Sequence, residues 1–387
     1  MVLVRVLAAL SKPAVVAGAI AATAAGGWFA VDSLQPHGHV SPLQAIQGKG
    51  QRLLISEFGN STDTIVAVNP ADVSDRRDIV TIDHAYGYGV FAVLSPDGKA
   101  VAYTGLPPDT TKPGPDAPAT AAVVDVDGDV VPLADDVDLL IPPVWSPDSA
   151  SIVVRKNTPG DGGAGSFELL LLSRDGSRST ITTWSTAAVF PIAFSPDGSE
   201  LYFAALNNSG TDLYRVAPDG SDETKVAHLS DEIARDWRLS PDGSRIAYSV
   251  AESGASPRVV AKIISIDTGA ISDALPLAVE AAPGTVRGQF NPTWNRNGEL
   301  TIASLKPNGG GDTMSLDATG SASELTTNDD SFDLPLDWSP DGGTLAVRHI
   351  EGSAPADASA SHVELVHGSQ RENVSDVADV LIVGWVR

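Results

Sequence analysis

Six short turn sequences, spread along the chain at nearly even steps, constrain its fold more than any other feature. They are Leu94-Ser95-Pro96-Asp97-Gly98, Trp145-Ser146-Pro147-Asp148-Ser149, Phe194-Ser195-Pro196-Asp197-Gly198, Leu239-Ser240-Pro241-Asp242-Gly243, the divergent Trp294-Asn295-Arg296-Asn297-Gly298, and Trp338-Ser339-Pro340-Asp341-Gly342. The steps between them are 51, 49, 45, 55 and 44 residues. Proline presets φ at the first turn position, aspartate bonds nearby backbone, and glycine supplies φ > 0. A large apolar residue stands before each turn, where it ends an incoming strand and fills a core. A tight turn flanked by apolar runs and repeated at this length predicts an all-β protein of four-stranded antiparallel blades, a single β-propeller.

One repeat shows the grammar of all. Val189 to Phe194 reads as the innermost strand, Glu200 to Ala204 as the second, Asp212 to Val216 as the third and Lys225 to Leu229 as the outer one. The two ends hold unmatched halves of the pattern. Gln51 to Ser56 and Thr64 to Asn69 read as second and third strands without a first, and Val380 to Trp385 reads as a first strand without successors. Joined, they make one more blade. The expectation is seven blades, with six as the alternative, closed by the C-terminal strand pairing with N-terminal strands, which removes exposed sheet edges.

Residues 13 to 31 hold no charged side chain, with Arg5 and Lys12 before them and Asp32 after. An apolar run of this length preceded by positive charge predicts an N-terminal hydrophobic helix over residues 1–31 that exports the chain and serves as a signal-anchor. A signal peptide cleaved after Ala22-Thr23-Ala24 is the alternative. Residues 32–49 read as a linker, in which His37 and His39 are solvated, and residues 50–387 as the propeller. The expected location is the cell membrane with the propeller outside the cytoplasm, or a secreted or periplasmic protein if the segment is cleaved.

Charge narrows the partners. The whole chain carries 25 lysines and arginines against 49 acids, a net charge of −24. Such a surface repels phosphate backbones and argues against nucleic acid. The chain has no cysteine, which excludes disulfides, thiolate metal sites and cysteine nucleophiles.

The apolar-Ser-Pro-Asp-Gly turns, followed by strands such as Thr344-Leu345-Ala346-Val347 and later Asp-Gly turns such as Val126-Asp127-Gly128, resemble the WD-like repeats of TolB-type β-propellers over residues 50 to 387. That resemblance implies an exported protein whose work is to bind other proteins in the cell envelope. Propellers of this type also serve peptidases and sensors, so fold alone does not decide activity.

In such a ring the turns after first and third strands share one face. Second-to-third loops and blade-to-blade connections share the other, where the long stretches Gly105 to Thr120, Asn157 to Ser166 and Gly352 to Ser361 fall. The connections are acidic: Asp135, Asp136 and Asp138; Asp231, Glu232 and Asp236; Asp329, Asp330 and Asp333; Asp376 and Asp379, offset by Arg235 and Arg287. Around a channel mouth these carboxylates would attract a protein or peptide with a basic segment, or a divalent cation. They are also what a strongly acidic surface shows anywhere. His84, Tyr86 and Tyr88 stand in an equivalent connection and offer aromatic contacts there. No cofactor is expected, and the propeller is expected to be monomeric. Asp125-Val126-Asp127-Gly128-Asp129 reads as a strand-end turn, and Trp145, Trp294, Trp338 and Trp385 read as core.

No Gly-x-Ser-x-Gly elbow, Gly-x-x-x-x-Gly-Lys loop or His-Glu-x-x-His pair occurs. The sequence therefore favours an interaction scaffold. A channel-mouth hydrolase or lyase built from scattered residues, or a sensor or ligand-binding domain, is the alternative.

Overall fold

The computed structural model describes Leu43, Ile46 and residues 48–387, apart from residues 126, 159–164, 254–257, 276–287, 307–309, 353–359 and 378. Regular structure in these residues is all β, and the expected N-terminal helix lies outside them. Among the described residues no helix is long and apolar enough to cross a membrane.

The two halves of the chain meet in one sheet. β1 (Arg52–Phe58) pairs with β2 (Thr62–Asn69), which pairs with β3 (Asp72–Asp83). The other edge of β1 pairs with β28 (Val380–Val386), setting Leu53 opposite Trp385 and Glu57 opposite Val380. Four further sheets are free-standing and four-stranded. They comprise β4 (Phe91–Leu94), β5 (Val101–Gly105), β6 (Ala119–Val124) and β7 (Val130–Val137); β8 (Val144–Trp145), β9 (Ser151–Thr158), β10 (Ser166–Ser173) and β11 (Arg178–Trp184); β12 (Ala188–Phe194), β13 (Leu201–Asn207), β14 (Gly210–Val216) and β15 (Thr224–Ser230); and β24 (Ser331–Trp338), β25 (Leu345–Glu351), β26 (Ala360–His367) and β27 (Gln370–Asn373).

The remaining strands form a single eight-stranded sheet. One antiparallel run is β16 (Ala234–Leu239), β17 (Arg245–Glu252), β18 (Arg258–Ser265) and the short β19 (Ile271–Asp273). The other is β20 (Gly288–Trp294), β21 (Leu300–Leu305), β22 (Gly311–Leu316) and β23 (Ala322–Asn328). The runs are joined at one parallel pair, Val259 with Gly288. The expectation of seven separate blades, or six, is therefore corrected: five blades stand alone and eight strands are merged. The physical reason is that β19 covers only Lys262 to Ile264 of β18, which leaves Val259 open to a second partner.

The repeated turns form as their residues require. Ser95 Oγ donates to Asp97 Oδ1 at 2.6 Å, and that same oxygen accepts the Lys99 amide at 2.9 Å. Ser95 Oγ accepts the Ala100 amide at 2.9 Å, and Gly98 takes φ of +71°. In the divergent copy Asn295 does both jobs through its amide oxygen, accepting from the Asn297 amide at 2.9 Å and the Glu299 amide at 3.0 Å. The serine thus carries as much of the turn as the aspartate does.

Cores lie between successive sheets. Val153, Leu169 and Ile181 pack with Val189, Phe203 and Val216, and Phe203 is fully buried. Burial on that scale contributes about 2–3 kcal/mol for a large side chain. Trp145 Nε1 donates to the Val93 carbonyl at 2.9 Å, and Trp294 Nε1 donates to the Arg238 carbonyl at 2.9 Å, so these indoles tie neighbouring innermost strands. At the closure, Gly384 has φ of +145° and a Cβ there would lie 2.9 Å from Leu94 Cβ, so β28 meets β4 at a distance only glycine allows. Leu43 and Ile46, inside the expected linker, are fully buried against Leu54, Ile65 and Tyr103.

Candidate functional site

Both faces of the molecule carry site-like features. On the connection face, loops between second and third strands touch the connections directly: the Gly352 amide donates to the Asp330 carbonyl at 3.3 Å and the Ala85 amide to the Leu106 carbonyl at 2.9 Å.

The expected carboxylates divide there into two groups. Some neutralise the protein's own cations. Asp138 accepts from Arg155 Nε at 2.9 Å and Nη2 at 2.5 Å, and Arg155 lies over the Phe167 and Phe190 rings, bridging sheets. Asp136 accepts two bonds from Arg178, at 3.0 and 3.2 Å, and pairs with Lys156. Its burial opposes ionisation, yet these two cations hold it below the ordinary carboxylate range. Asp333 is fully enclosed and accepts from Arg371 at 2.7 and 2.8 Å, His349 at 2.8 Å and Thr326 at 3.0 Å, which together outweigh desolvation and hold its carboxyl far below the ordinary range. Asp236 lies on β16 with φ of +57° beside Arg235, at 3.7 Å. Asp379 is half-buried, and its carbonyl accepts the Phe58 amide at 3.0 Å.

The other carboxylates face solvent. Asp135, Asp329, Asp330 and Asp376 are exposed and form no ion pair with a described residue. Asp231 is 97% exposed and touches His228 at 3.0 Å, while Glu232 is half-buried. Among the described residues no group of three or more His, Asp or Glu side chains is arranged to hold a metal ion.

His84 is no surface aromatic. It is buried, with Nε2 3.0 Å from Asp63 Oδ1, Nδ1 3.0 Å from the Ala85 carbonyl, and its ring stacked on Phe58. Burial works against its charge, but two acceptors at the two nitrogens raise its pKa above the ordinary value. Tyr86 is 72% exposed, and Tyr88 donates to the Pro113 carbonyl at 3.4 Å.

The opposite face holds a feature not anticipated from the sequence. A cavity of about 510 Å³ opens among the repeated turns, walled by Leu94 to Gly98, Trp294 to Arg296, Asp337, Trp338 and Gly384 to Arg387. Trp294, Trp338 and Trp385, expected as core alone, therefore also line this space. Its signal in the sequence was the divergent turn, where Arg296 replaces the repeat's proline. Desolvation pushes Asp337 up to about 6, against the pull of Arg238 and an amide bond from Trp338.

One stretch of 149 residues is 29% identical to the Protein TolB homolog of Chlorobium luteolum, covering 38% of this chain and 31% of that relative's length. The chain carries a TolB-like β-propeller. No protein-family model matches it. Among solved structures, an acylaminoacyl peptidase complex superposes with a TM-score of 0.56 at 13% identity over 89% of this chain and 53% of the other. The β-propeller domain of the Trilobed protease from Pyrococcus furiosus gives 0.54 at 12% identity, covering 84% of this chain and 94% of that one. At these identities the likeness concerns fold. The chain thus spans about a third of its TolB relative and about half of the peptidase.

Proposed function

We propose that this TolB-like propeller is an exported protein-interaction scaffold of the cell envelope, held to the membrane through residues 13–31, whose connection face docks a partner by a basic segment. The observation that carries this reading is the set of exposed carboxylates at Asp135, Asp231, Asp329, Asp330 and Asp376. Asp135, Asp329, Asp330 and Asp376 have no ion pair with a described residue; Asp135 lies on β7, and Asp231, Asp329, Asp330 and Asp376 lie between strands. Unpaired surface carboxylates of one sign focus a field that steers cations, and that attraction weakens as salt rises.

The docking test uses a lysine-rich peptide and calorimetry at low and high salt. Replacing Asp231, Asp330 and Asp376 together with Asn is expected to weaken binding several-fold. The same change at Asp175 and Asp219, which cap turns on the other face through the Ser177 and Ser221 amides, is expected to leave it nearly unchanged. Equal weakening by both sets makes the effect one of net charge and removes the docking face.

A further inference from the structure

The turn-face cavity is independent of the docking face, and its lining holds two arginines, Arg296 and Arg387, beside two aspartates, Asp97 and Asp337. In a chain with 49 acids, its mouth presents Arg296, which is exposed and forms no ion pair with a described residue. One carboxylate of the lining, Asp97, is engaged inside its own turn by Ser95 and the Lys99 amide. Asp337, on the wall, feels Arg238 from β16.

The apolar part of the wall is Trp294, Trp338 and Trp385 together with Leu94, Val386 and the turn prolines. Trp294 and Trp338 give their indole N–H groups to the Arg238 carbonyl and to Thr301 Oγ1, at 2.9 and 3.0 Å. The N–H of Trp385 is enclosed and has no acceptor among the described residues. Arg296 itself needs an explanation, because five other copies of the turn place proline at its position and proline presets the turn's φ. A repeat that abandons its own best turn residue at the mouth of a cavity is a local inconsistency of the sort that marks function. A volume of about 510 Å³ lies within the range of small-molecule sites, which combine apolar walls with few placed polar groups.

We propose that this cavity binds a small organic carboxylate with a flat apolar body, its carboxylate received by Arg296 and its body by the indoles of Trp294, Trp338 and Trp385. Guanidinium suits carboxylate by its planar fork of donors, and indole faces suit flat rings. Asp337 makes the binding sensitive to pH. Ionised, it repels an anion beside it; neutral below about 6, it does not, so affinity rises as pH falls through that value. The charged groups around it are Arg238, Arg296, Arg387 and Asp97.

The probe is 2-naphthoate, compared by calorimetry with the cationic 2-naphthylmethylammonium. One naphthoate per chain is expected to bind, with the ammonium giving no heat. Arg296→Gln is expected to weaken binding by about tenfold or more, the scale of one charged hydrogen bond. Arg296→Pro, which restores the repeat's own residue and so keeps the turn, is expected to do the same. Asp337→Asn is expected to bind at about pH 7.5 as tightly as the unaltered protein does at about pH 5.5. Absence of naphthoate binding, equal binding of the ammonium, or unchanged affinity in Arg296→Pro overturns the proposal.

Discussion

Asp333 shows how far a single carboxylate reaches: through Arg371 and His349 it holds strands of its own sheet, and through Thr326 the end of β23. Asp333→Ala removes the carboxylate bonded to His349 and leaves Arg371 with Glu364 alone, and is expected to lower unfolding free energy by about 3 kcal/mol in urea titrations. The histidines give a pH signature. Hydrogen bonds to Asp333 raise the pKa of His349 and bonds to Asp212 and Asp231 raise that of His228, while His84 is raised against its burial by Asp63. A histidine raised on folding adds stability that is fully present below its unfolded value of about 6.5 and is lost as pH climbs through the folded one. Unfolding free energy is therefore expected to fall as pH rises above about 6.5, and less steeply in His349→Gln. Asp337, whose raised value disfavours folding as pH rises toward about 6, acts below that window. The turn chemistry was legible because Ser95, Asp97 and Lys99 are near in sequence. The division of the acidic set was not, since Asp136 and Asp333 find partners 42 and 38 residues away, set by strand register rather than by local pattern.

At the level of strands, the half-repeats at the two ends were enough to foresee the β1–β28 pairing, because each lacked the piece the other supplied. The merged sheet was not foreseeable. Its join is one residue pair, below anything that apolar alternation encodes. Removing residues 380–387 uncovers β1, takes Trp385 and Val383 from their packing against Leu53 and Leu54, and opens the ring. Loss of a single cooperative transition is expected in thermal unfolding followed by circular dichroism. An unchanged transition would mean that the ring stands without its closing strand.

For the whole molecule, charge and position in the cell are linked. Setting aside Arg5 and Lys12 leaves 23 bases against 49 acids, a net of −26 on everything beyond residue 31. The export reading predicts that fractionation finds the full-length chain with membranes and the propeller open to protease added from outside the cytoplasm. Full-length protein in the soluble cytoplasm refutes export, and a mature N-terminus near Ala25 refutes only the anchor. The cavity escaped the sequence because four separate turns, the end of β28 and Gly48 build it, and only the divergent turn that carries Arg296 broke the pattern.

Ring closure also sets a clock. Phe58 at the end of β1 and Val380 at the start of β28 are 322 residues apart in the chain. At roughly 5–20 residues per second, synthesis leaves β1 without its inner partner for on the order of a quarter of a minute to a minute. Throughout that wait the edge of β1, whose first five residues end fully covered, is bare backbone and apolar side chain. A nascent chain of this design has to be held unfolded or shielded until its last strand emerges, so the demand for a chaperone is written into the order in which its strands are made.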